Sequence, residues 1–97
     1  MMFAELIAKD MRLVILRSMV EDGNSLNESM LQSVLEMFGH TVSRDRVRTE
    51  MRWLEEQGLI RVEDVHGVLV GRLTGRGADV AEGRSRIDGV KAPRPKG

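Results

Sequence analysis

The chain has no cysteine and no tyrosine, and only two prolines in 97 residues. Without thiols there is no disulfide framework, no redox switch and no thiolate metal site. Aromatic side chains are limited to Phe3, Phe38 and Trp53. Apolar burial therefore falls to aliphatic residues and to seven methionines, a residue that fills irregular cores and adaptable interfaces. No apolar run approaches the length of about eighteen residues that a membrane-spanning helix needs. The N-terminus also lacks the basic segment and apolar block of a secretory signal. A reduced, cytoplasmic setting is expected. Net charge is missing too, with fifteen Lys and Arg against fifteen Asp and Glu. Such neutrality counts against a protein that binds by bulk charge. The length fits one domain with a modest core.

The charge is unevenly spread. Residues 1–43 carry three bases against six acids, residues 44–62 five arginines against four acids, and residues 84–97 five bases against one acid. The basic stretches are the ones that keep nucleic-acid binding open.

The segment 41–62, TVSRDRVRTEMRWLEEQGLIRV, organises the rest. Ser43 is a good N-cap, because its hydroxyl can accept from an unpaired first-turn amide. Residues 44–57 contain no Gly or Pro, so nothing local opposes a helix. Gly58 suits the left-handed position just past its end. At about 100° per residue, Val47, Met51 and Leu54 share one stripe, while Asp45, Arg48, Thr49, Arg52 and Glu56 lie opposite. The polar face is most basic in its first two turns, which is where a DNA-reading helix touches base edges. A solvated face that happens to carry arginine is the plain alternative.

Ahead of it, residues 3–22 read as a first helix with two apolar faces. Leu6, Leu13, Leu16 and Val20 line one; Ala4, Ala8, Met11, Ile15 and Met19 line the other. In so small a domain the second face is expected to be covered by another copy, giving a homodimer through helix 1. The alternative is that the last helix and the tail fold back over it. Asp22 to Ser25 reads as a turn. A second helix runs from about Asn27 to Phe38, and a four-residue connector starting at Gly39 leads into the arginine helix. That spacing is a helix-turn-helix. After Gly58 the period changes to that of strands. Ile60 and Val62 point inward, with Val65 beside them, His66-Gly67 reverses the chain, and residues 68–73 return as a second strand. A lone hairpin is unstable in water, so it must lean on the helices as a wing. Gly71 reads as a bulge in the return strand. Residues 74–83 form a short last helix capped by Thr74, whose two glycines leave it dependent on packing. From Arg84 periodicity is lost, and Pro93 and Pro95 make the segment an extended basic arm.

The pieces VRTEMRWLEEQGLI (47–60) and LTGRGADVAEG (73–83), in this order of helices and hairpin, resemble the winged helix-turn-helix superfamily of bacterial repressors, the arsenic-repressor-like group especially. With Gly89, Val90, Lys91 and Pro93 in the tail, the whole chain looks like the small winged-helix proteins of Mu-like phages and prophages. The resemblance implies an α+β, mainly α fold: a three-helix core, a two-stranded wing, a short C-terminal helix and a tail. It places the winged domain at 1–83 and the basic extended tail at 84–97. It makes Ser43, Arg44, Arg46, Arg48, Thr49 and Arg52 candidate contacts to double-stranded DNA, with Arg61 and Arg72 of the hairpin in reach of backbone phosphates. Two departures stand out. Glu63 and Asp64 put acid near the wing tip, where a DNA-gripping wing is basic, and the cysteines of metal-sensing repressors are absent.

Enzyme readings fail on inventory, since there is neither a cysteine nor a glycine-rich phosphate loop. His40 and His66 stand singly in separate loops, so no metal site, cofactor or small-molecule effector is expected. Two functions remain. One is a dimeric phage or prophage transcriptional regulator that reads the major groove with residues 43–57. The other is a protein-contact module in phage packaging or assembly with no sequence-specific DNA role; winged helices serve both uses.

Overall fold

The computed structural model describes residues 2–94. Its elements are α1 (Met2–Glu21), β1 (Ser25–Asn27), α2 (Glu28–Met37), α3 (Arg44–Glu56), β2 (Ile60–Val65), β3 (Val68–Leu73) and α4 (Gly75–Ala81). Three of the four helices begin where a short polar side chain replaces a missing partner of the first-turn amides. Asn27 accepts from the Met30 amide at 2.8 Å, Ser43 from Arg46 at 3.1 Å and Thr74 from Gly77 at 3.0 Å. Each such cap is worth about 1 kcal/mol. α3 ends in a Schellman closure. Gly58 takes φ 75°, its N–H donates to the Glu55 carbonyl, and the Leu59 N–H returns to the Leu54 carbonyl at 3.0 Å. No helix among the described residues is long and apolar enough to cross a membrane.

The sheet has three antiparallel strands in the order β1-β3-β2. The hairpin closes with His66 at φ 53° and Gly67 at φ 85°, the paired positive angles of a two-residue turn whose twist matches that of the strands. Asp64 accepts from the Gly67 amide at 2.7 Å and locks it. β1 departs from the sequence pattern, which puts Ser25 in a turn and Asn27 at a helix start. Ser25 pairs with Arg72 and Leu26 with Gly71, because β3 offers an open edge and three extended residues suffice to fill it. Gly71 is not a bulge either, since the β2–β3 register runs unbroken from Ile60↔Leu73 to Val65↔Val68. It admits neighbours instead. A Cβ there would stand 2.6 Å from the Met19 side chain and 3.4 Å from Met51. Val65 lies on the outward face and is exposed.

Between sheet and helices, Met11, Ile15, Leu16, Met19, Leu31, Leu35, Val47, Met51, Leu54, Leu59, Ile60 and Leu69 are fully buried. Fully burying one such side chain stabilises the fold by about 1.5–3 kcal/mol. This corrects the proposed dimer face. Met11, Ile15 and Met19 are core residues of a single chain and Ala8 is buried beside them, while Ala4 is exposed one turn beyond the core. α1 is covered on this face by β3, α3 and α4 of its own chain. The tail is corrected as well. Residues 84–94 are not an extended arm: Val90 is 8 % exposed and joins the core, with Ile87 packed against it. The Lys91 amide donates to the Lys9 carbonyl at 3.2 Å. A valine and an isoleucine among the charges supply the apolar anchor that the composition of this segment hid. Pro95 and the rest of the basic tail lie outside the described residues.

Candidate functional site

α3 turns its apolar stripe to the core and leaves two polar flanks. On the flank beside the hairpin stand Arg44, Arg48 and Arg52, one turn apart, with side chains 46, 39 and 49 % exposed. On the other flank stands Arg46. Between the flanks, Asp45, Thr49 and Glu56 face solvent.

Every one of these arginines meets an acid. Glu28, the first residue of α2, is 3 % exposed. One of its carboxylate oxygens accepts from the Leu69 amide of β3. The same carboxylate lies 3.6 Å from the Arg44 guanidinium and 3.5 Å from that of Arg48. Arg44 also donates to Gln32 at 2.9 Å, and Gln32 donates to the Val42 carbonyl of the α2–α3 connector at 3.0 Å. Glu28 therefore ties together the start of α2, the first turns of α3 and the wing. Arg48 reaches on to the Gly67 carbonyl at the hairpin tip, 3.5 Å away. Arg52 pairs with Glu55 at 3.0 Å, and the second oxygen of Glu55 accepts from the Val62 amide on the free edge of β2 at 3.3 Å.

Glu50 is the second buried acid, also 3 % exposed. Arg12 of α1 and Arg46 each donate to one of its oxygens at 2.7 Å. The Arg12 guanidinium lies 3.9 Å above the centre of the Trp53 ring and donates to the Gly89 carbonyl at 3.0 Å. A cation over an indole face is an attraction that strengthens as water is excluded. No buried side-chain nitrogen or oxygen among the described residues lacks a hydrogen-bond partner.

Of the expected DNA contacts, the structure thus brings Arg44, Arg48 and Arg52 onto one flank. Ser43 serves as the cap, and the Thr49 hydroxyl donates back to the Asp45 carbonyl at 3.0 Å. Arg46 stands on the opposite flank, bound to Glu50. Arg61 and Arg72 are direct cross-strand partners on the outward face of the hairpin, and Arg72 pairs with Glu63 at 3.3 Å. Like charges placed opposite one another are unfavourable unless an anion joins them. Glu28 and Glu50, the acids that hold Arg44, Arg48 and Arg46, are not among the site residues expected from the sequence. The spacing of Arg46 and Glu50, four residues apart on a helix, is a visible signal for an ion pair. For Glu28 there is none, because its partner Leu69 is 41 residues away.

Four helices and a three-stranded antiparallel sheet in this order make an α+β fold of the winged-helix kind. The chain is similar to the solved structure of a winged-helix DNA-binding protein of STIV, with a TM-score of 0.61, 25 % identity, and 72 % of this chain and 77 % of that one covered. No family model matches. The chain is 53 % identical over 95 residues to gp26, an uncharacterized protein of Escherichia phage Mu, across 98 % of this chain and 99 % of that protein. It is 48 % identical over 77 residues to an uncharacterized protein of Haemophilus influenzae, across 78 % of this chain and 76 % of the relative. The chain belongs to the family of the phage Mu gp26 protein.

Proposed function

We propose that the protein binds double-stranded DNA through α3 and acts, as a homodimer in the cytoplasm of a bacterial host, as a transcriptional regulator of a phage or prophage. The observation that carries this reading is the stripe Arg44–Arg48–Arg52, half exposed on the flank of α3 that adjoins the hairpin. The STIV protein with the similar fold is a DNA-binding protein, and the phage relative supports the setting. The narrower affiliation with arsenic-repressor-like repressors rests on the segments 47–60 and 73–83 alone.

In this mechanism α3 enters the major groove. Arg48 and Arg52 exchange carboxylate oxygens for phosphate or for guanine O6 and N7, which present the same two-acceptor geometry. Glu28 keeps Arg44 and Arg48 fanned along the flank in the free protein, so less side-chain entropy is lost on binding. Arg61 and Arg72, held face to face on the hairpin, receive a phosphate that relieves their mutual repulsion.

Fluorescence anisotropy on a mixed-sequence duplex, over a salt series, tests the reading. Affinity should fall steeply with salt, with a slope corresponding to roughly four phosphates, and the Arg48→Ala/Arg52→Ala double variant should flatten that slope by about two. No binding at low salt by folded protein would sink it.

A second reading is favoured by the pairing itself. Each arginine of α3 already has a carboxylate within 4 Å, and Asp45 and Glu56 stand between the flanks. Such a balanced surface suits a protein partner in phage packaging or assembly, and it is the reading that a null anisotropy result would favour.

A further inference from the structure

The side of α1 turned away from Met11, Ile15 and Met19 carries Phe3, Ile7, Asp10, Val14, Arg17 and Glu21 in alternating steps of four and three residues. That is the spacing of a seam between two helices. In the first two turns nothing among the described residues covers it. Met2, Phe3, Leu6 and Ile7 are 77, 73, 56 and 36 % exposed. Farther along, the same stripe forms one wall of an open groove of about 700 Å³, lined by Val14 and Arg17 of α1 and by Met30, Val34, Met37 and Phe38 at the outer side of α2. Met30, Met37 and Phe38 are exposed as well. One molecule thus holds an apolar helical arm at one end of a stripe and, at the other, a groove whose apolar wall is joined by the charged Asp10, Arg17, Glu21, Asp22 and Lys91.

From this complementarity we infer that two copies of the chain pair antiparallel along α1, the arm Met2–Ile7 of each lying in the α1–α2 groove of the other. Two observations favour a second copy over another occupant. The first is area. Seven exposed large apolar side chains, each presenting on the order of 100 Å², give roughly 700 Å² per copy, close to the roughly 800 Å² per partner of a stable interface. The second is charge. Between the apolar arm and Glu21, the seam is interrupted only by Asp10 and Arg17. An antiparallel pair sets Asp10, whose carboxylate already meets His40 and Lys91 of its own chain, near the partner's Arg17 twice over, by the two-fold symmetry of such an interface. A parallel pair would set like against like. This interface deepens the homodimer part of the function proposed above and is independent of its DNA-binding part.

Sedimentation equilibrium of the full chain, alone and without DNA, tests it. The expected mass is about twice the 10.9 kDa of one chain. Leu6→Glu in the arm and Phe38→Glu in the groove are both at exposed positions, so far-UV circular dichroism should not change. Each should weaken the dimer at least about tenfold, as should Arg17→Asp, which faces Asp10 in the antiparallel register. A single-chain mass at about 100 µM would overturn the proposal and give the groove to a different partner. So would a dimer that Leu6→Glu and Phe38→Glu leave intact. A dimer that Arg17→Asp leaves equal or tighter would overturn the antiparallel register. A monomer that still binds DNA with a steep salt dependence would remove the interface and leave the DNA reading standing.

Discussion

Gly75 and Gly77 sit two residues apart in the same short helix, and by propensity alone each is a weakness. Their surroundings differ. Around Gly75 a Cβ would meet nothing within 4 Å, whereas at Gly77 it would collide with the Leu59 carbonyl and crowd the Leu73 side chain at 2.8 Å. The glycine lets α4 lie directly on the chain leaving α3, where the Thr74 hydroxyl bonds the Gly58 and Leu59 carbonyls at 2.8 and 3.0 Å. Gly77→Ala should therefore cost about 3 kcal/mol, the upper range for overpacking a close contact against backbone. Gly75→Ala should be neutral or stabilise by up to about 0.5 kcal/mol. Urea denaturation of the two variants side by side decides this; equal effects would show that propensity, not the approach to Leu59, governs the position.

Among the elements, the tail differs most from its appearance in sequence. Gly89 takes φ 97°, and a Cβ on it would stand 2.5 Å from the Trp53 ring, so the tail meets α3 where an indole lies against a glycine. Gly89→Ala should lift that segment, destabilise the fold by about 1–3 kcal/mol and wet one face of Trp53. Because Trp53 is the chain's single tryptophan, its emission reports this directly and should shift to the red; unchanged emission would mean that the tail does not depend on this contact. The contrast with the other elements is physical. Ser43 with Gly58, Thr74 with Gly83 and His66 with Gly67 announce α3, α4 and the hairpin turn because caps and tight turns are set by residues a few positions apart. β1, the docking of the tail and the role of Gly71 depend on β3, Trp53 and Met19, which are distant in sequence. The faces of α1 are not legible in the sequence for the same reason. Its apolar residues are spread around the helix, and only the placement of β3 and α4 decides that Met11 and Ile15 point into the chain while Phe3 and Ile7 point out of it. At the site, the arginines were legible and the acids that hold them were not.

Across the whole molecule, Asp10 connects pieces that are far apart in the chain. It lies on α1, takes a contact from His40 of the α2–α3 connector at 2.7 Å, and accepts from the Lys91 ammonium of the tail at 3.2 Å. Partial burial pushes its carboxyl upward. The hydrogen bonds from His40 and Lys91 and the charges of both groups outweigh that, and hold it below its ordinary value of 3.8. A carboxyl whose folded-state value is depressed stabilises the fold above its unfolded value, and that contribution disappears as pH falls through the folded value. The stabilising effect of Asp10 should thus be complete near neutrality, begin to fade near pH 3.8 and be lost below that. Asp10→Asn keeps the shape and removes the titration. Its melting temperature should lie below that of the parent at pH 6, and the two should converge as the pH falls through the depressed folded-state value. A gap that stays constant over that range would mean that Asp10 joins α1, the connector and the tail by shape and hydrogen bonding alone. Convergence would make its charge the link, so that acid loosens the helix-turn-helix connector and the tail together.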